Sequence, residues 1–269
     1  MSLTIDGKHI SELNLQLLRD HQNPAAPSTR DNVMTIPGMH GAYDFGSSLG
    51  VREFNLPVHL KLKDEYETLS TAIRKVMAVF IDPHGKPKTV KLIFDYEPDK
   101  YYMVRYSGNI PINRLFSIGK FELPLIAYDP FAYSVVKSNE KITWGSPIPF
   151  ATEIPFSYKP SQYDINVSQT LQVNNRGSSV VRPVIEIVGS ATALTLTING
   201  KSFSFGDLSN GTLLVDAQYY TVIKNGQNYL FNMQGNLEDL ELLPGENTVI
   251  VDGTNLSLKL TFNFRSKFN

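Results

Sequence analysis

From residue 163 onward, turn-forming pairs punctuate the chain too densely for helices. They are Asn175-Arg176-Gly177, Gly189-Ser190, Asn199-Gly200, Asn210-Gly211, Asn225-Gly226, Gly235-Asn236, Pro244-Gly245 and Asp252-Gly253. Spacings of about 8–15 residues leave room for strands and short loops only. Val184 to Val188 and Leu256 to Phe264 are strand-like runs between such pairs. The pattern predicts an antiparallel β-sandwich over residues 163–269.

The first half is punctuated differently. Leu3 and Ile5 alternate with polar residues before Asp6-Gly7, a type I′ turn dipeptide, so a small hairpin returns through His9 and Ile10. A short strand is expected across Leu13 to Leu18. Residues 19–49 then hold Pro24, Pro27, Pro37, Gly38, Gly41 and Gly46, yet also Met34, Ile36, Met39, Tyr43 and Phe45. So many breakers exclude a long regular element, and so many apolar side chains exclude a solvated linker. The segment reads as an arm that packs on something, and these five residues are the candidate subunit contacts.

Val51 to Lys61 alternates as a strand, with Phe54, Leu56, Val58 and Leu60 on one face and Pro57 suggesting an edge or bulge. One helix pattern follows. Leu62, Tyr66, Leu69, Ile73, Val76, Met77 and Phe80 recur at steps of three and four, with Asp64 and Glu67 spaced as a capping box. Asp82-Pro83-His84-Gly85 should end it. Strands are expected over Thr89 to Phe94, Tyr101 to Tyr106, Ile110 to Phe116 and Lys120 to Tyr128. The Pro- and Ser-rich stretch that follows carries the only tryptophan, Trp144. The expected organisation is a first domain over 1–135, a linker over 136–162 and a second domain over 163–269.

Composition narrows the chemistry. With no cysteine, the chain can form no disulfide, thiolate metal site or Cys nucleophile. Lys and Arg number 25 against 26 Asp and Glu, and each half is near neutral, so neither half is a basic nucleic-acid module. The opening residues lack a basic segment followed by an apolar one, and the longest apolar run, Val76 to Ile81, is far too short for a membrane span. The expectation is a soluble, ordered, aromatic-rich protein without a specific nucleic-acid or membrane partner.

Several motifs invite catalytic readings. Gly46-Ser47-Ser48-Leu49-Gly50 fits G-x-S-x-G, but the nucleophile elbow needs a strand before it and a helix after it, and here a strand pattern follows. The five histidines, His9, His21, His40, His59 and His84, show no metal-binding spacing. Asp95, Glu97 and Asp99 have Lys91 and Lys100 beside them and read as a self-neutralising turn. Lys86, Lys88 and Lys91 read as a solvated hairpin. Tyr219, Tyr220, Tyr229, Phe231 and Trp144 fit sandwich core and rim, or an aromatic platform for sugar rings. No catalytic, cofactor or metal residue is expected, and the chain is read as no enzyme.

An ordered set of phrases in the first half resembles the distal tail proteins of siphophages (Dit). They are Thr35-Ile36-Pro37-Gly38-Met39-His40-Gly41-Ala42-Tyr43, the strand from Val51, the single helix, and Leu92-Ile93-Phe94-Asp95-Tyr96-Glu97-Pro98-Asp99-Lys100-Tyr101-Tyr102. Gly119-Lys120-Phe121-Glu122-Leu123 and Tyr128-Asp129-Pro130-Phe131-Ala132-Tyr133-Ser134 complete it. The second half is similar to a galectin-like sandwich through Pro183-Val184-Ile185-Glu186-Ile187, Val215-Asp216 and Leu242-Leu243-Pro244-Gly245-Glu246-Asn247. The resemblance implies a mainly β chain. Its first domain would be a β-sandwich-like ring former with one helix and a hairpin arm, its second a galectin-like antiparallel sandwich. It also implies a structural protein of the virion tail tip, assembled in the host cytoplasm. Six copies would form a ring joining the major tail tube protein to the tail-associated hub or fibre protein, with the tape-measure protein as a further neighbour. The alternative is a carbohydrate-binding adhesin that touches the host cell wall.

Overall fold

The computed structural model describes residues 2–61, 68–110, 113–115, 118–142, 152 and 159–269. The chain divides into two compact units between Ala132 and Tyr133. In the first, β1 (Leu3–Ile5) and β2 (Lys8–His9) form the expected hairpin, with Asp6 and Gly7 both at positive φ. A 3-10 turn over Ile10–Leu13 follows, capped by His9, whose ring accepts from the Ser11 amide and whose own N–H bonds the Glu12 carboxylate. That turn replaces the first residues of the strand expected from Leu13, leaving β3 as Leu15–Leu17.

β4 (Thr29–Met34) and β5 (Tyr43–Leu49) make a separate two-stranded sheet. β6 (Arg52–Lys61), β7 (Thr89–Phe94), β8 (Lys100–Tyr106), β9 (Asn113–Leu115) and β10 (Ile118–Ala127) complete the unit's strands. The main antiparallel sheet runs β2-β1-β7-β8-β10-β6-β3, with β9 beside β10. Period-two alternation sends Phe54, Leu56, Val58 and Leu60 to one face of β6, all fully buried. Pro57 causes no register break. β10 pairs continuously with β6, whereas β3 covers its other side only at Val58–Leu60.

α1 spans Leu69–Phe80 and buries Ala72, Val76 and Phe80, the four-residue steps of its apolar stripe. Thr68 caps it by accepting the Thr71 amide. Leu62, Asp64, Tyr66 and Glu67, expected as its first turns, lie outside the described residues. At the other end Asp82 accepts the amides of His84 and Lys86, which turns the chain toward β7.

β11 (Ala132–Ser134) crosses the division between the units. The second unit holds β12 (Gln162–Ile165), β13 (Gln169–Asn175), β14 (Val184–Ile198), β15 (Lys201–Asp216), β16 (Thr221–Lys224), β17 (Gln227–Asn228), β18 (Gly245–Asn263) and β19 (Lys267–Phe268). Its sheet runs β12-β18-β14-β15-β16-β17, with β13 also on β18. Three of its strands are far longer than the sequence reading. Asn199-Gly200 and Asn225-Gly226 are true hairpin turns with paired positive φ. Gly189-Ser190, Asn210-Gly211 and Asp252-Gly253 instead mark bends inside β14, β15 and β18, where the β14 register shifts. A Cβ on Gly189 would lie 2.1 Å from the Ser257 carbonyl oxygen, so the strands approach there only because glycine stands at that place.

The bends fold one sheet over a single core. Ile185 and Ile187 before the β14 bend share it with Leu194, Leu196 and Ile198 after it, and likewise Leu258, Leu260 and Phe262 with Val249 and Val251. The residues expected as a linker are anchored in this unit at both ends. Ser138 donates to the Phe262 carbonyl and accepts from the Phe264 amide, and the Ser161 amide donates to the Ser138 carbonyl. The chain end returns to the same place, because Arg265 donates to the Ser134 and Val135 carbonyls.

Candidate functional site

The arm is the β4–β5 hairpin with its connecting loop. Ile36-Pro37-Gly38-Met39 makes its first tip turn, where the Met39 amide donates to the Ile36 carbonyl at 3.0 Å and Gly38 sits at φ +85°. Proline second and glycine third are what a type II turn requires. Thr29 faces Leu49, Arg30 faces Ser48 and Asp31 faces Ser47; after a register shift Val33 faces Asp44 and Met34 faces Tyr43. Gly46, at φ +95°, supplies the extra residue, and its amide donates to Asp44 Oδ1 at 2.8 Å.

This register sorts the side chains. Met34, Tyr43 and Phe45 share one face with Arg30, Asn32 and Ser48, while Thr29, Asp31, Val33, Asp44, Ser47 and Leu49 share the other. Every residue of both strands is exposed, and among the described residues neither strand pairs with another sheet. Of the five predicted contact residues, Phe45 is 64% exposed, Tyr43 54%, Met34 51%, Ile36 45% and Met39 36%. An isolated two-stranded hairpin is marginal in water, and this one leaves its apolar side chains unburied. The five predicted residues therefore lie on one protruding element, joined there by Val33 and Leu49, which sequence reading missed. No alternation marked them, because Val33 and Met34 are adjacent apolar residues on opposite faces and Leu49 stands alone beside Gly50.

The root of the arm is tied to the first unit. The Gly50 amide donates to the Ser28 carbonyl, and Ser28 Oγ to the Val51 carbonyl at 3.0 Å. Asn23 Nδ2 donates to the Tyr96 hydroxyl at 2.8 Å, and His21 stacks with Phe94 and Tyr96 at 6.0 and 6.1 Å. Arg52 fills the first core-facing place of β6, 2% exposed, and donates to the Tyr102 hydroxyl at 2.8 Å and the Ala25 carbonyl at 3.4 Å. Burial raises the Tyr102 phenol pKa, against the lowering pull of that guanidinium. Between residues 21–28 and 51–55 lies a groove of about 570 Å³, lined among others by Asn23, Pro24, Ala26, Ser28, Arg52 and Asn55.

The chemical motifs are dispersed. Ser48 stands on β5 opposite Arg30, and β6, not a helix, follows, so the G-x-S-x-G match forms no elbow. His9 bonds Ser2 and Ser11 and lies 3.9 Å from Asp95, whereas His40 is exposed in the arm loop. No cluster able to hold a metal occurs among the described residues. Glu97 pairs with Lys100 at 3.6 Å and Lys91 lies over the Tyr101 ring, but Asp99 is buried rather than solvated. In the second unit Tyr219 and Phe231 are 72% and 91% exposed, while Tyr220 and Tyr229 face Arg182 and Lys224. Trp144 lies outside the described residues.

Residues 8–127 match the sequence model of the phage tail protein RIFT-related domain. The crystal structure of phage SPP1 Dit (gp 19.1), described as a paradigm of hub adsorption apparatus in Gram-positive-infecting phages, superposes with a TM-score of 0.64 at 17% identity over 98% of each chain. A chain of the phage P2 baseplate in its activated conformation with Ca matches at 10% identity and TM-score 0.36, over 100% of this chain and 98% of that one. No curated protein matches the sequence. The SPP1 likeness carries the fold of both units, mainly β with antiparallel sheets and one helix among the described residues.

Proposed function

We propose, from the match of residues 8–127 to the phage tail protein RIFT-related domain, that this chain is a distal tail protein acting as an architectural ring. Six copies of the first unit close into an annulus at the tail tip. The ring joins the tail tube to a hub or fibre protein, with the tape-measure protein as a further neighbour. The role is structural rather than catalytic. One observation carries the reading: the hairpin of residues 29–49 exposes Met34, Ile36, Met39, Tyr43 and Phe45, and among the described residues it has no partner sheet. Each such half-exposed side chain, covered by a neighbour, contributes about 1 kcal/mol. A heterologous contact between identical subunits closes into a ring when its rotation permits.

The test is assembly of variants with an intact monomer. Tyr43→Asp and Phe45→Asp lie on an exposed element, so each is expected to leave the monomer's circular dichroism and melting unchanged. Each should abolish ring formation. If both variants assemble like the parent, the arm is not the subunit contact. A second reading, a carbohydrate-binding edge on the second unit, is favoured by the exposure of Tyr219 and Phe231. It requires the full chain to bind glycans on an array, and Phe231→Ala to remove that binding.

A further inference from the structure

We propose that the groove at the root of the arm is the receiving site for the arm of a second copy, with Arg52 pairing to that copy's Asp31. The inference rests on the ring reading and names the surface which the arm would meet.

Arg52 stands where the alternation of β6 calls for an apolar residue, one place before Phe54 on the buried face. A guanidinium stays charged at any pH the fold survives, so its burial calls for a counter-charge. Its contacts are the Tyr102 hydroxyl, the ring of the same tyrosine at 5.2 Å and the long bond to the Ala25 carbonyl. Among the described residues no carboxylate pairs with it, and its Nε is buried without a partner. Asn23 Oδ1 on the same groove wall is also buried and unpartnered, an acceptor suited to a strand N–H. Glu53, the acid nearest in sequence, alternates to the exposed face of β6 and stands on the groove wall, but makes no ion pair with Arg52 among the described residues. Two unsatisfied buried groups beside an open groove describe a site shaped for something that brings a carboxylate and a backbone donor.

The arm brings both. Asp31 is exposed, its side chain makes no ion pair or hydrogen bond among the described residues, and it lies on the face opposite Met34, Tyr43 and Phe45. Arm and groove are different surfaces of one chain. Each copy's arm would thus fill the next copy's groove, and the arrangement propagates around a ring. Val33 and Leu49, exposed on the same face as Asp31, supply the apolar area this contact buries, and the Asp31–Arg52 pair fixes register through charge-assisted bonds.

The absence of cysteine permits a clean test on the full chain. Val33→Cys lies beside Asp31 on the same arm face, and Ala26→Cys lies on the groove wall; both residues are exposed. Mixed and oxidised, these two variants should give a disulfide-linked dimer well above a control pairing of Val33→Cys with Asp6→Cys. Adding Asp31→Asn to the Val33→Cys chain should cut the cross-link about tenfold, the effect of losing one charge-assisted bond. A yield no higher than the control, or one indifferent to Asp31→Asn, overturns the proposal. Rings that still form in that case leave the ring reading standing with another receiving surface. If rings and cross-link are both missing, the ring reading falls with it.

Discussion

Asn247 is fully buried yet binds on every side. Its Nδ2 donates to the carbonyls of Val173, Leu243 and Gly245, and its Oδ1 accepts from the Leu243 amide and from Asn199 Nδ2. Asn175, equally buried, bonds the Ser179 and Leu242 carbonyls and the Gly177 amide. Truncating either strands several backbone groups in the interior. Asn247→Ala is expected to cost the second unit about 3 kcal/mol, read as a shift in its urea midpoint at unchanged slope. Asp252 sets an acid limit of a different kind. Ser168 Oγ at 2.7 Å and the Gly253 amide at 2.8 Å hold its carboxyl pKa below the ordinary value. A depressed carboxylate contributes stability above its unfolded pKa and loses it as pH falls through the folded one. Stability of the second unit should therefore fall as pH drops below about 4, the ordinary Asp range, and Asp252→Asn should flatten that slope. A slope unchanged in the variant would assign the acid limb to other groups.

At the scale of elements, what the sequence revealed depended on how local the cause was. The Asp6-Gly7 hairpin, β6 and the body of α1 follow from residues within a few places of one another, and all were legible. The bends of β14, β15 and β18 were not. Gly189-Ser190, Asn210-Gly211 and Asp252-Gly253 carry the same chemistry as reversing turns, and only pairing with distant strands makes them kinks in continuous strands. The five apolar arm residues were legible as a candidate contact set because nothing in a solvated loop explains them, and the structure gathers them, exposed, on one hairpin and its loop. Arg52 was not, since an arginine at a strand start gives no sign that it faces the core. Gly189→Ala tests the bend directly. It places a Cβ against the Ser257 carbonyl in a backbone region open only to glycine, and should destabilise the second unit by about 3 kcal/mol or more. A neutral effect would mean that β14 relaxes without it.

At the scale of the whole molecule, each of the two units owns a core, and among the described residues the hairpin of residues 29–49 is left exposed. Chain folding satisfies the sheets, the helix stripe and the sandwich, and it leaves the hairpin of residues 29–49 wet on both faces. Association is the remaining way to bury it, and identical subunits supply the simplest partner. Negative-stain imaging of the purified full chain, with light scattering on the same sample, tests this most directly. The account predicts closed annuli of six copies, lost on Tyr43→Asp. Single particles of one chain's mass at every concentration, or rings indifferent to that substitution, would contradict it.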